Sequence, residues 1–140
     1  MTPQSWLLPV FVHILLVFAL LVLTGTRRRN AILRGEVKIK DIALDNAAWP
    51  ETLRKLGNSY NNQFQLPVLF YAVMALYLIT GMQDSRAAVL AWAFVATRYV
   101  HAWIHATTNY VPHRFYAFAT GVAILFGLWV WLFVRLYVTG

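Results

Sequence analysis

The 140-residue chain contains no cysteine. Disulfides, thiolate-held metals and a cysteine nucleophile are therefore excluded from its chemistry. Acidic residues are also scarce, with five Asp and Glu against twelve Lys and Arg. Glu36, Asp41, Asp45 and Glu51 fall in one stretch, and Asp84 stands alone. No carboxylate is thus placed to orient a histidine for a hydrolytic triad. The His101-x-x-x-His105 pair, lacking an acid, is a poor zinc or iron site, and no metal is expected. Internal repeats and rings of acidic residues are missing as well, which argues against a transporter or channel.

What is abundant is apolar: 60% of the residues are hydrophobic and only 12% charged. That is the composition of a membrane protein. A hydrocarbon core about 30 Å thick takes roughly 20 apolar residues per helical crossing. Spans are expected near 5–25, 60–81, 87–107 and 115–138. The reading is an all-α integral membrane protein, an antiparallel four-helix bundle with residues 1–140 as a single domain, since little chain is left over for a soluble one. The first run is not expected to be a cleaved leader, because no positive side chain precedes it and no small-x-small pattern follows.

The net charge of +7 is not a nucleic-acid footprint, because eight of the twelve basic residues lie in the 27–57 segment beside membrane spans. Such charge is topogenic and faces anionic lipid headgroups. It places the 1–2 and 3–4 loops in the cytoplasm and both termini on the other side. Membrane lipids are the expected partners, and nucleic acid is not.

Along the chain, Pro9 sits early in span 1, and His13 reads as a packed residue. Pro50-Glu51 is a helix start, with proline in a first turn and an acid complementing the dipole. The helix begun there runs into span 2 until Pro67, which frees a carbonyl near Gln63 and predicts a kink that opens a pocket. Thr80-Gly81 and Gln83-Asp84-Ser85 turn the chain tightly into span 3, making neighbours of the two helices. In span 4, Trp129, Trp131, Phe133 and Tyr137 read as lipid-facing, and Arg135 as a residue that snorkels to the interface.

The polar residues inside the spans carry the functional signal. Asn58, Asn62 and Gln65 share one helical face, with Asn61 one step around, and Arg98, His101 and His105 share another. Polar groups in hydrocarbon are costly when unpartnered, so both faces are expected inside the bundle and against each other. A full charge such as Arg98 is a functional-site candidate by default. Arg28 at the end of span 1, Arg114 opening span 4 and the Arg98/His101 face are expected to converge at one membrane surface. Edged by amides, that cluster suits a small carboxylate-bearing ligand.

The segment Asn62-Gln63-Phe64-Gln65-Leu66-Pro67-Val68-Leu69-Phe70-Tyr71, followed by Arg98-x-x-His101-x-x-x-His105 and Arg114, resembles the MAPEG family, the membrane-associated proteins in eicosanoid and glutathione metabolism. The likeness spans essentially the whole chain and is nearest to small bacterial members, which implies a bacterial inner-membrane location. It implies a homotrimer holding glutathione as co-substrate between subunits. Arg114 matches the arginine that helps hold the glutathione thiolate. Arg28 matches a basic glutathione contact, Asn62 the asparagine of an Asn-x-x-Glu motif, and Arg98 and His101 an Arg-x-x-His motif.

Gln65 stands where many catalytic members have glutamate. Asn58 and Asn61 stand where arginines are common, and His105 and Phe118 where the eicosanoid enzymes have tyrosines. The functional expectation is a glutathione-dependent transferase or peroxidase acting on lipophilic small molecules. The catalytic arginine would be Arg114, and the binding set Arg28, Asn62, Gln65, Arg98, His101 and His105. The alternative is a non-catalytic trimer binding a small anion or lipid.

Overall fold

The computed structural model describes residues 2–139. Helix α1 spans Pro3–Leu33. Thr2 caps it by accepting from the Ser5 amide at 3.3 Å, and Pro3 occupies a first-turn position where no donor is needed. Trp6, Pro9, His13, Leu16, Leu20 and Thr24 are its buried stripe, at three- and four-residue intervals. Phe11, Leu15, Phe18 and Val22 lie exposed on its other faces, so apolar surface looks outward as well as inward. That two-sided apolarity is what a bilayer requires and water forbids. The helix outlasts the expected span and carries Arg27–Arg29 within it. It stops where Gly35 enters the left-handed region (φ +72°) and the Glu36 amide reaches back to the Ala31 carbonyl at 3.0 Å.

The connecting segment holds a short helix α2 (Ile39–Ile42) and a 3₁₀ turn (Asn46–Ala48). Trp49 folds back against Ala31 and Leu53, fastening the segment to the ends of α1 and the next helix. The second crossing is two helices, α3 (Glu51–Asn62) and α4 (Leu66–Thr80), separated at residues 63–65. Pro67 lies in the first turn of α4, so the kink expected there is a full break. Gly81 ends α4 in the left-handed conformation. Asp84 caps α5 (Ser85–Ala106) by accepting from the Ala87 amide at 2.8 Å, and α6 (Val111–Tyr137) follows Asn109 and Tyr110.

These elements form four antiparallel membrane-crossing units, as the hydropathy pattern implies. Helix α5 lies along α6, α1 packs on α3, α4 and α5, and α4 packs on α6. The α5–α6 approach is close at Gly121, where a Cβ would sit 2.9 Å from the Thr97 hydroxyl. The main core occupies the Asp84 half of the bundle: Trp6, Phe70, Met74, Tyr77, Phe94 and Leu128. Its polar tips are met there, with Trp6 Nε1 donating to the Met74 carbonyl and the Tyr77 hydroxyl to the Leu128 carbonyl, both at 3.0 Å.

Two expectations for span 4 are corrected. Trp129 and Trp131 pack against the core, while Phe133 and Tyr137 face outward. Arg135 bends to Asp84 at 3.5 Å, and Trp131 Nε1 donates to the same carboxylate at 2.8 Å. The single acid at this end of the bundle is the nearest strong acceptor for both, and a nearby charge outcompetes solvent for a side chain that reaches it.

Burial pushes the Asp84 carboxyl up, but the Ala87 amide, the Trp131 indole and Arg135 together outweigh it and hold the carboxyl below its ordinary value. The stabilisation by Asp84 is therefore present above the ordinary carboxylate pKa and is lost as pH falls through the lower folded value. Asp84→Ala should lower unfolding stability by about 0.5–2 kcal/mol, the usual worth of an N-cap. The loss should shrink in acid, as followed by thermal unfolding in detergent from pH 7 to pH 3.

Candidate functional site

At the opposite end of the bundle the helix break turns polar side chains in two directions. Gln63 points into the bundle, where its Nε2 donates to the Ser59 carbonyl at 3.0 Å and its Oε1 meets His13 Nε2 at 3.2 Å. The His13 Nδ1 lies 2.6 Å from the Tyr71 hydroxyl. One tautomer serves the whole chain: His13 donates from Nε2 and accepts at Nδ1 from Tyr71. Ser59 closes the system by donating to the Ala102 carbonyl at 3.1 Å. His13 is thus a packed residue, as its lone position in span 1 suggests.

Asn62 and Gln65 face the other way, into a cavity of about 640 Å³. Asn58 and Asn61 line it from α3, His101 and His105 from α5, and Arg114, Phe115 and Phe118 from α6. The two polar faces read from the sequence do meet. Arg98 Nη2 donates to Asn62 Oδ1, and Asn62 Nδ2 donates to Gln65 Oε1 at 3.2 Å. Arg98 Nη2 also stands 3.4 Å from His101 Nδ1. Arg98 is completely buried and lies behind the lining, so it acts on the cavity through the side chains that it holds. The His101 and His105 rings meet edge to face at 5.6 Å, and Phe118 packs 6.0 Å from His101.

Arg114 stands in the first turn of α6, and its Nη1 donates to Asn109 Oδ1 at 2.6 Å. Asn109 adopts a positive φ of 52°, a conformation that asparagine tolerates better than most residues. The turn that stops α5 therefore also steers the arginine that begins α6.

Arg28 lies at the same end of the bundle as this cavity but does not line it. Arg28 lies on the α1 side of α3, its guanidinium 4.7 Å over the Trp49 ring and its Nη2 donating to Asn46 Oδ1 at 3.2 Å. It fits a notch at Gly57, where a Cβ would fall 2.6 Å from Nη2. Helix α3 stands between it and the cavity, so Arg28 lines a separate pocket of about 210 Å³. Asn61 borders both spaces.

The site has more donors than partners. Arg98 Nε and Nη1 and His105 Nδ1 are buried without hydrogen bonds, and among the described residues no acid pairs with Arg98. The lining itself contains amides, imidazoles, one guanidinium and apolar groups, but no carboxylate. Such a cavity is electropositive and is built to receive acceptors and negative charge.

A four-span helical membrane protein with a basic, amide-rimmed cavity at one end of its bundle is the class these observations define. The family model of the MAPEG family matches residues 6–134, and the chain belongs to that family. This makes it a membrane protein of the glutathione and eicosanoid metabolism family. No curated protein and no solved structure matches it.

Because Asn62 joins Arg98 to Gln65, Asn62→Ala should lower unfolding stability in detergent by about 1.5–3 kcal/mol, the range for hydrogen bonds to charged groups. Asn62→Asp should recover most of that loss by giving Arg98 a counter-charge. Paired chemical unfolding curves of the two variants check both expectations.

Proposed function

We propose that the protein is a membrane-embedded, glutathione-dependent transferase or peroxidase acting on lipophilic electrophiles, and that it works as a homotrimer. The observation that carries this reading is Arg114, held by Asn109 on the wall of a cavity that has no acid in its lining. A guanidinium beside a thiol favours the ionised form, and the start of α6 adds partial positive charge of its own. Glutathione supplies the nucleophilic sulfur that this cluster would activate.

The residues present fit such a ligand. The cavity volume, about 640 Å³, falls within the range of small-molecule sites. His105 Nδ1 is buried without a hydrogen-bond partner, and Asn58, Asn61, Asn62 and Gln65 offer both donors and acceptors to peptide groups. Arg114 is assigned to thiolate stabilisation. His101, His105, Asn62 and Gln65 hold the ligand, and Arg98 positions Asn62 and His101. Phe115 is exposed beside the cavity and gives a lipophilic substrate an apolar approach from the bilayer.

The homotrimer and the placement of Arg28 follow from the family resemblance. In a cyclic trimer one heterologous interface is repeated three times, and Arg28 would meet the cavity of a neighbouring subunit across it. The basic charge of the 27–57 segment supports a cytoplasmic position for that end of the bundle, and the resemblance to small bacterial members supports a bacterial inner-membrane location. The second reading, a non-catalytic trimer that binds a small anion or lipid, is favoured by one observation. The amides of Asn58, Asn61 and Gln65 leave the lining without a carboxylate for the ligand's ammonium group.

Purified protein should bind glutathione in calorimetry and generate the ultraviolet absorbance of its thiolate. Arg114→Ala should abolish that absorbance and lower conjugation of a lipophilic electrophile by at least about a hundredfold, as expected for a lost electrostatic stabiliser, with the oligomer unchanged. Absence of glutathione binding at millimolar concentration would favour the non-catalytic reading. Native mass spectrometry should give three copies per particle.

A further inference from the structure

A second groove lies on the far side of α3 from the catalytic cavity. It runs between α1 and α5, has a volume of about 340 Å³, and is walled by Leu16, Leu20, Leu56 and Ala106. Its flanks are open, since Leu23 is 42% and Trp103 72% exposed. The lining is apolar except for Tyr99, whose hydroxyl donates to the Val12 carbonyl at 2.8 Å, and for one end, where Arg27, Thr52 and Thr107 stand.

Arg27 differs from its neighbour Arg28. Where Arg28 is engaged by Asn46 and Trp49, Arg27 is exposed and makes no hydrogen bond or ion pair among the described residues. At the helical rise, the stretch of α1 from Leu16 to Arg27 is about 16 Å long. That is close to the depth of one leaflet of a hydrocarbon core about 30 Å thick. The groove therefore has the length of one leaflet, largely apolar walls, and a cation without a partner among the described residues where a headgroup would lie.

We propose that this groove binds an anionic glycerophospholipid, one acyl chain seated between α1 and α5 and the phosphate held by Arg27. The guanidinium offers paired donors to phosphate oxygens, and the Thr52 hydroxyl is a further donor at the same end. The second acyl chain lies along the exposed Leu23 and Trp103 flanks, which a single-chain fatty acid would leave bare. A zwitterionic headgroup would bring its own cation toward Arg27, Arg28 and Arg29 and is disfavoured.

The test is native mass spectrometry of the full chain in detergent, titrated with phosphatidylglycerol or phosphatidylcholine. Phosphatidylglycerol should be retained preferentially. Arg27→Gln should weaken its retention about fivefold, the effect of one basic residue near an anionic surface, with phosphatidylcholine nearly unchanged. Arg29→Gln removes an equal charge outside the groove and should leave retention as it was. Ala106→Phe fills the groove and should weaken both lipids, and Ala106→Met serves if the larger side chain unfolds the protein.

Equal retention of the two lipids, or equal losses from Arg27→Gln and Arg29→Gln, would overturn the proposal. So would undiminished retention in a folded groove-filling variant. Displacement of phosphatidylglycerol by palmitate would identify a fatty-acid site instead, and a groove-filling variant of altered oligomeric mass would identify this face as a contact between copies of the chain.

Discussion

Hydrocarbon offers no hydrogen bonds, so every polar group carried into the bundle must find its partner within the protein. Arg98 is where that constraint bears hardest, because it is fully buried and charged. Its Nη2 takes the oxygen of Asn62, which leaves the Asn62 amide nitrogen to hold Gln65. The orientation of two cavity-lining residues thus descends from one guanidinium that the ligand would never need to touch. Among the described residues, Arg98 Nε and Nη1 have no partner and no acid neutralises the guanidinium, so its charge leaves the site electropositive.

The break between α3 and α4 lets this arrangement coexist with a second polar system. A continuous helix through residues 63–65 would sweep successive side chains around at fixed angles. With the ladder interrupted before Pro67, Gln63 turns to His13 and Ser59 while Asn62 and Gln65 stay with the cavity. The inward network ties α1, α3, α4 and α5 together through His13, Gln63, Tyr71 and Ser59. The outward one is left open to solvent and ligand. At the other end of the bundle, the interior is filled by aromatic packing, and the Asp84 carboxylate is taken up by Trp131 and Arg135.

Three arginines at this end of the molecule differ in how they are held. Arg114 is steered by Asn109 toward the cavity, Arg28 is clamped by Asn46 and Trp49 in the Gly57 notch, and Arg27, at the end of a largely apolar groove, has no partner among the described residues. Arg27 and Arg28 are adjacent in sequence, yet their place on α1 sends one toward the groove and the other toward α3. A run of arginines beside a membrane span is therefore not one undifferentiated topogenic charge here.

Hydropathy and helical period are local properties, and what depends on them was legible in the chain. The four crossings, the helix start at Pro50-Glu51, the interruption at Pro67 and the meeting of Asn62 with Arg98 all follow from residue type and spacing. Even the packed role of His13 could be argued from its isolation, although its partner Gln63 could not. Tertiary structure alone decided which way Gln63 turns, that Arg28 is screened from the cavity by α3, and that Trp131 and Arg135 bend inward to Asp84. Each of these depends on the rotation of one helix about its axis relative to another. Neither spacing along a single helix nor the total of its apolar residues contains that angle, which is set only when side chains from several crossings compete for the same few partners.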